Sequence, residues 1–238
     1  MIVLVSIYAL IVSIYLGIAY VKYNKKGNSI GKTGQEIARN VLDANGLEHI
    51  KVSKCGSFLF GNSYSHYFKK VRLRRFTWKK SSVSSLAMAV QKSALAVLDK
   101  ENDPDMKKRI RLTPIIFAGP LAFIPLAIIG AAIDLLAFKA GDVSFTLLLS
   151  IVGLVFYTIS FVMSLLVLKT EKKAQKKAIE IMETENLATD EELVMMQKLF
   201  KLYNIEYVNN MILALLELVF RILSIVANVQ NINSPTSD

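Results

Sequence analysis

FTLLLSIVGLVFYTISFVMSLLVL, residues Phe145 to Leu168, decides how the rest of this chain is read. The stretch carries no charged side chain and ends against Lys169. A bilayer hydrocarbon core about 30 Å thick takes roughly 20 apolar residues of helix to cross. Three further runs have similar length and character: Ile2 to Val21, Pro114 to Phe138 and Met211 to Val229. A single run of this kind can be a buried core helix, but four are hard to house in a water-soluble domain. The expected fold is therefore a mostly α membrane protein, with four transmembrane helices and a small α+β cytoplasmic portion between spans 1 and 2.

Working outward, the chain divides into span 1 (2–21), a basic region (22–113), span 2 (114–138), span 3 (144–168), a charged helical region (169–206), span 4 (207–229) and a polar tail (230–238). The net charge is +10, and Lys22 to Thr113 holds twenty of the twenty-nine Lys and Arg residues against seven acids. Lys169 to Tyr207 is nearly balanced, with seven bases and eight acids. The first run has no charged residue ahead of it and is long for a signal-peptide core, so it reads as an uncleaved anchor. Bases follow it at Lys22, Lys25 and Lys26. The positive-inside rule then sets the N-terminus outside the cell membrane and the basic region in the cytoplasm. The short Lys139 to Ser144 loop falls outside, Lys169 to Tyr207 returns to the cytoplasm, and the C-terminus is outside. The single cysteine, Cys55, excludes an internal disulfide.

Within the basic region, Thr33 and Glu36 form a T-x-x-E capping box ahead of an apolar stripe at Ile37, Val41 and Leu42, and Asn45-Gly46 stops that helix. Short β-type runs follow at His49 to Val52, Ser57 to Phe60 and Lys69 to Leu73. Val83, Leu86, Ala87, Val90, Ala94, Val97 and Leu98 then return at helical spacing. Asp99 to Asp105 is a polar break before span 2. Glu171 to Glu185 continues span 3 as a charged helix. Thr189 opens a last helix with a second capping box to Glu192, and that helix is expected to run on into span 4.

These blocks in this order are TGQEIARNVLDANGLEHIKV (Thr33 to Val52), VRL (Val71 to Leu73), the Ser82 to Leu98 helix, a membrane hairpin, LKTEKKAQKKAIEIM (Leu168 to Met182) and LATDEELVMMQKLF (Leu187 to Phe200). The chain resembles the bacterial membrane-bound neutral zinc metallopeptidases of the YugP type over nearly its whole length. The resemblance implies an H-E-x-x-H motif on the Ser82 to Leu98 helix. In that motif residues at i and i+4 share a face to grip Zn²⁺, and the glutamate activates a water. It implies a downstream glutamate as third ligand. Carried onto this sequence, Gln91 stands at the first histidine, Lys92 at the glutamate and Leu95 at the second histidine, with Glu171 at the third ligand. Leucine cannot ligate, glutamine is a weak neutral ligand, and lysine sets a cation where a cation must bind. The chain holds two histidines, His49 and His66, and neither begins such a motif. His66 falls in a polar loop, and His49 is expected at a strand edge.

No catalytic residue and no metal ligand is therefore assigned, and zinc, implied for the family, is not expected here. If Lys92 and Glu171 meet as the family geometry implies, the ammonium partly replaces the metal's charge and closes the site; otherwise both face water. Lys69, Lys70, Arg72, Arg74, Arg75, Lys79 and Lys80, interleaved with Phe68, Phe76 and Trp78, read as a lipid-facing basic cluster, with a merely solvated basic face as the rival. No nucleic-acid-binding motif accompanies them. Glu217 and Arg221, at i and i+4, form an intramembrane ion pair. Asp134 falls near the outer end of span 2. Gly119-Pro120 and Pro125 are expected to bend that span or to make its start irregular.

The functional reading is a zinc-metallopeptidase-like membrane protein without hydrolytic activity, a pseudo-peptidase whose partners are a membrane protein, a peptide segment or membrane lipid. Two alternatives stand beside it. One is an active membrane zinc metallopeptidase with other ligands, and the other is a structural or lipid-binding membrane protein. Neither oligomeric state nor physiological partner follows from the sequence.

Overall fold

The computed structural model describes residues 2–56, 61–136 and 145–233, so the Ser57 to Phe60 run, the Lys139 to Ser144 loop and the last five residues lie outside the described residues. Its elements in chain order are α1 (Ile2–Lys25), α2 (Gly34–Ala44), β1 (Lys51–Lys54), β2 (Ser63–Ser65), β3 (Lys70–Leu73), α3 (Arg75–Lys79), α4 (Val83–Lys100), α5 (Pro104–Leu136), α6 (Phe145–Thr184) and α7 (Asp190–Asn233). The fold is mostly helical, with a three-stranded sheet. Four of the helices, α1, α5, α6 and α7, are long and apolar enough to cross a membrane.

Two compact units emerge. One comprises residues 1–9, 111–166 and 209–238; the other comprises residues 10–110 and 167–208. The second unit holds the main core, which draws on both polar stretches of the chain. Ile37, Val41 and Leu42 of α2, Val71 and Leu73 of β3 and the buried residues of α4 pack with Ala174, Ala178 and Met182 of α6 and Met196, Leu199 and Tyr203 of α7. The α+β portion between spans 1 and 2 is thus completed by the charged stems of spans 3 and 4. One shared core requires both stretches to lie on the same side of the membrane.

Local signals explain the ends of the elements. Thr33 caps α2 through a complete capping box with Glu36, and Thr189 with Glu192 does the same before α7, with Thr189 N donating at 3.0 Å. Ser82 caps α4. Asp103 Oδ1 accepts from Asp105 N and Met106 N, each at 3.0 Å, and Pro104 takes the first helical position, where its missing N–H costs nothing. α6 and α7 each run unbroken from their apolar into their polar sections.

The sheet has strand order β1-β3-β2, with β1 parallel and β2 antiparallel to β3. β2 forms in the NSYSHYF stretch that reads as a polar loop, because Tyr64 packs inward opposite Val71. His49 lies in the turn ahead of β1. Arg75 to Lys79 is helical, so Phe76 lies on α3 beyond the end of β3.

In the first unit, α5 is helical throughout Gly119, Pro120 and Pro125. The Ser160 hydroxyl of α6 donates to Ile115 O at 2.7 Å and accepts from Gly119 N at 2.9 Å, bridging one turn of α5. Asp134 acts as a cap: its carboxylate accepts from Phe145 N (2.8 Å), Thr146 N (3.0 Å) and Thr146 Oγ1 (2.7 Å) at the start of α6.

Candidate functional site

Four helices of the second unit bring polar side chains to one buried point. Gln91 and Lys92 come from α4, Arg109 from the start of α5, Glu171 from α6 and Tyr207 from α7. The register of α6 is fixed by three lysines at four-residue spacing that meet the turn between α4 and α5. Lys169 pairs with Asp105 (3.0 Å), Lys173 with Asp103, and Lys177 with Glu101 (2.9 Å). These partly exposed pairs contribute little stability each, but together they set which face of α6 meets α4.

Glu171 is the centre of the cluster. Its Oε2 accepts from Lys92 Nζ at 2.9 Å and from Gln91 Nε2 at 2.9 Å, and its Oε1 accepts from Arg109 Nη1 at 2.5 Å. Lys92 Nζ also donates to the Tyr207 hydroxyl at 3.2 Å. The Lys92 and Glu171 side chains are only 4% and 5% exposed, and that of Arg109 is 16% exposed. Burial pushes the Glu171 carboxyl up, but the charges of Arg109 and Lys92 and their hydrogen bonds outweigh it and hold the group at about 2. Burial likewise opposes the Lys92 ammonium, yet the Glu171 carboxylate holds its pKa above the ordinary lysine value. Leu95, one turn beyond Gln91, is fully buried in the apolar core.

One carboxylate faced by two cations leaves the cluster with a formal charge of +1, and the glutamate's oxygens are already engaged. This donor set does not fit Zn²⁺. Unit charges of like sign 4 Å apart repel by about 4 kcal/mol at an effective dielectric of 20, and a dication doubles that for each cation it meets. Leu95 offers no donor atom and Gln91 only a neutral amide. A protonated Lys92 cannot take a proton from water, so it is no general base in this arrangement. Among the described residues, no three His, Cys, Asp or Glu side chains converge as a metal site elsewhere.

Arg109 and Tyr207 escape the sequence reading. Arg109 sits in the basic run KKRIR before span 2, where it looks like one more juxtamembrane charge, and Tyr207 stands at the start of span 4. Only the packing of α5 and α7 against α4 distinguishes them.

The remaining sequence candidates fall elsewhere. His66 Nδ1 lies 2.6 Å from Asp99 Oδ2, which also accepts from the Tyr64 hydroxyl at 2.6 Å, so this histidine ties β2 to α4. Lys69 occupies the turn before β3, Lys70 and Arg72 lie on β3, Arg74 precedes α3 without a side-chain capping bond, and Arg75, Lys79 and Lys80 lie on α3 or just after it. In the membrane unit, Glu217 and Arg221 are ion-paired at i and i+4. Tyr157 donates to Glu217 at 3.0 Å, and the Arg221 guanidinium lies 3.9 Å from the Phe123 ring centre.

Four membrane-length helices and a unit in which α4 meets Glu171 of α6 are the features against which known families are compared. The family profile described as "Putative neutral zinc metallopeptidase" matches residues 1–227, and the chain belongs to that family. It is similar to "Putative membrane protease YugP" of Bacillus subtilis (strain 168), with 26% identity over 198 residues that cover 83% of this chain and 82% of that protein. No solved structure matches the chain. It is a multi-pass membrane protein.

Proposed function

We propose that this chain is a non-hydrolytic member of its family, which engages a membrane protein or peptide segment at the cytoplasmic face without cutting it. The observation that carries this reading is the buried Lys92–Glu171–Arg109 cluster on α4, α6 and α5. Zinc chemistry needs open donor atoms and a base at that position, and the chain supplies an ammonium, a saturated carboxylate and a leucine. Engagement without cleavage is what the family architecture can still perform. Among the described residues β1 and β2 are the outer strands of the sheet, each paired with β3, and a bound extended peptide adds to outer strands of that kind. The positive-inside rule places the polar unit in the cytoplasm and both termini outside.

The test is hydrolysis by the full-length chain in lipid nanodiscs, supplied with zinc and a mixed fluorogenic peptide library. The expected result is no cleavage above empty discs, unchanged in Glu171→Ala. Cleavage that a chelator abolishes and that Glu171→Ala removes overturns the reading and assigns an active peptidase with other ligands.

A further inference from the structure

We propose that α3 with the β2–β3 turn and β3 forms a docking surface for anionic lipid headgroups, in the leaflet where α1 leaves the membrane. The backbone places it there. α1 continues past Val21, the last residue of its apolar run, to Lys25, about 6 Å of helix rise. The chain then runs directly alongside the end of α3. Asn28 N donates to Ser81 O at 2.9 Å, Val83 N donates to Lys26 O at 2.9 Å, and Gly27 bridges Ser82 in antiparallel fashion. Gly34 N donates to Lys80 O at 3.2 Å. The residues that end α3 are therefore held against the segment that directly follows α1.

The side chains of this surface suit a headgroup layer. No Asp or Glu occurs between Glu48 and Asp99, and Lys69, Lys70, Arg72, Arg74, Arg75, Lys79 and Lys80 fall within that interval. Among the described residues none of the seven is ion-paired. Large aromatic side chains stand exposed among them: Phe76 is 68% exposed, and Tyr67 and Phe68 are comparably so. Arg72 and Lys70 lie 5.4 and 5.7 Å from the Phe68 ring centre, and Lys80 lies 5.6 Å from that of Phe76. An apolar ring carried between bases, with no neutralising acid, matches a surface that offers phosphate above and acyl chain below. β3 supports the arrangement: Val71 and Leu73 are buried in the core, while Lys70 and Arg72 remain half-exposed.

Trp78 is the chain's only tryptophan and sits on α3, partly buried against the core, so its emission comes from this element alone. The experiment reconstitutes the full-length chain in nanodiscs of phosphatidylcholine mixed with phosphatidylglycerol. Trp78 quenching is compared when either lipid carries bromines near the carbonyl end of its acyl chains. Stronger quenching by brominated phosphatidylglycerol at equal mole fraction is expected. Replacing Arg74, Arg75, Lys79 and Lys80 with Gln should remove that preference, by about fivefold per base near the surface. Phe76→Ser should weaken quenching by both lipids.

Equal quenching by the two lipids in the unaltered chain overturns the proposal, with no variant needed. So does a preference that survives the four substitutions. An oligonucleotide that shifts Trp78 emission while anionic lipid does not would assign the surface to nucleic acid instead. None of these residues touches the Lys92–Glu171–Arg109 cluster, so this result and the peptidase result are independent.

Discussion

Glu171 is a carboxylate held by two cations and an amide, and each partner can be removed separately. Glu171→Gln leaves the Lys92 ammonium and the Arg109 guanidinium facing each other in a buried site. The expected cost is about 3–5 kcal/mol, a drop of roughly 10 °C or more in Tm for a chain of this size. Lys92→Met leaves Glu171 held by Arg109 and Gln91, and the loss should be about 1–3 kcal/mol. Thermal unfolding of both variants in one detergent checks the order; equal losses, or a larger loss for Lys92→Met, would contradict the cluster. The pH dependence follows in sign. Because the folded-state carboxyl lies at about 2 against its ordinary 4.5, its contribution is full above pH 4.5 and disappears as the pH falls toward 2. Lys92, raised above its ordinary 10.5, keeps its contribution until the solution is more alkaline than that. Glu171→Gln should therefore flatten the acid limb of a Tm-against-pH curve and leave the neutral range level. The resemblance singled out Gln91, Lys92, Leu95 and Glu171, and the first two do meet Glu171, while Leu95 lies in the apolar core. Arg109 and Tyr207 were not legible, because a juxtamembrane base and a span-initial tyrosine have the same sequence signature whether they face lipid or a buried carboxylate.

Among the elements, capped helices were readable and short ones were not. The T-x-x-E boxes at Thr33 and Thr189 name both partners of a local hydrogen-bond pair, so α2 and α7 start where the sequence says. β2 is only three residues long in a stretch without a β-branched residue, and Tyr64 earns its place by packing against β3. α3 spans little more than one helical turn, too short for a 3.6-residue period to register. The contact between α2 and α3 makes a testable claim. A Cβ at Gly34 would overlap the Thr77 carbonyl oxygen, which is backbone and cannot swing aside. Gly34→Ala should cost about 1–3 kcal/mol by forcing α2 and α3 apart, read as a lowered Tm together with altered Trp78 emission. An unchanged Tm would show that the two helices do not meet so closely. In the membrane unit, Gly119 stands in the same relation to Phe156 and Ser160, a small-residue contact of the kind that lets membrane helices approach.

For the whole molecule, run length alone announced four spans, while the joining of residues 22–113 with 169–206 in one core could not be read, since it depends on long-range packing between segments separated by a membrane hairpin. That shared core predicts the labelling pattern of cysteines introduced at Lys51 and Glu183 in a Cys55→Ser background. Both should be shielded from an impermeant maleimide in intact cells and both reactive in inverted vesicles. Opposite behaviour of the two sites would break the single-core arrangement, and reactivity of both in intact cells would reverse the orientation. The central claim is that the buried Lys92–Glu171–Arg109 cluster takes no zinc, and metal content addresses it most directly. The full-length chain should be purified under zinc-replete conditions and its zinc per chain measured by elemental analysis, beside Glu171→Ala. The cluster of Lys92, Glu171 and Arg109 predicts far less than one zinc per chain in both. One zinc per chain, lost in Glu171→Ala, would contradict it.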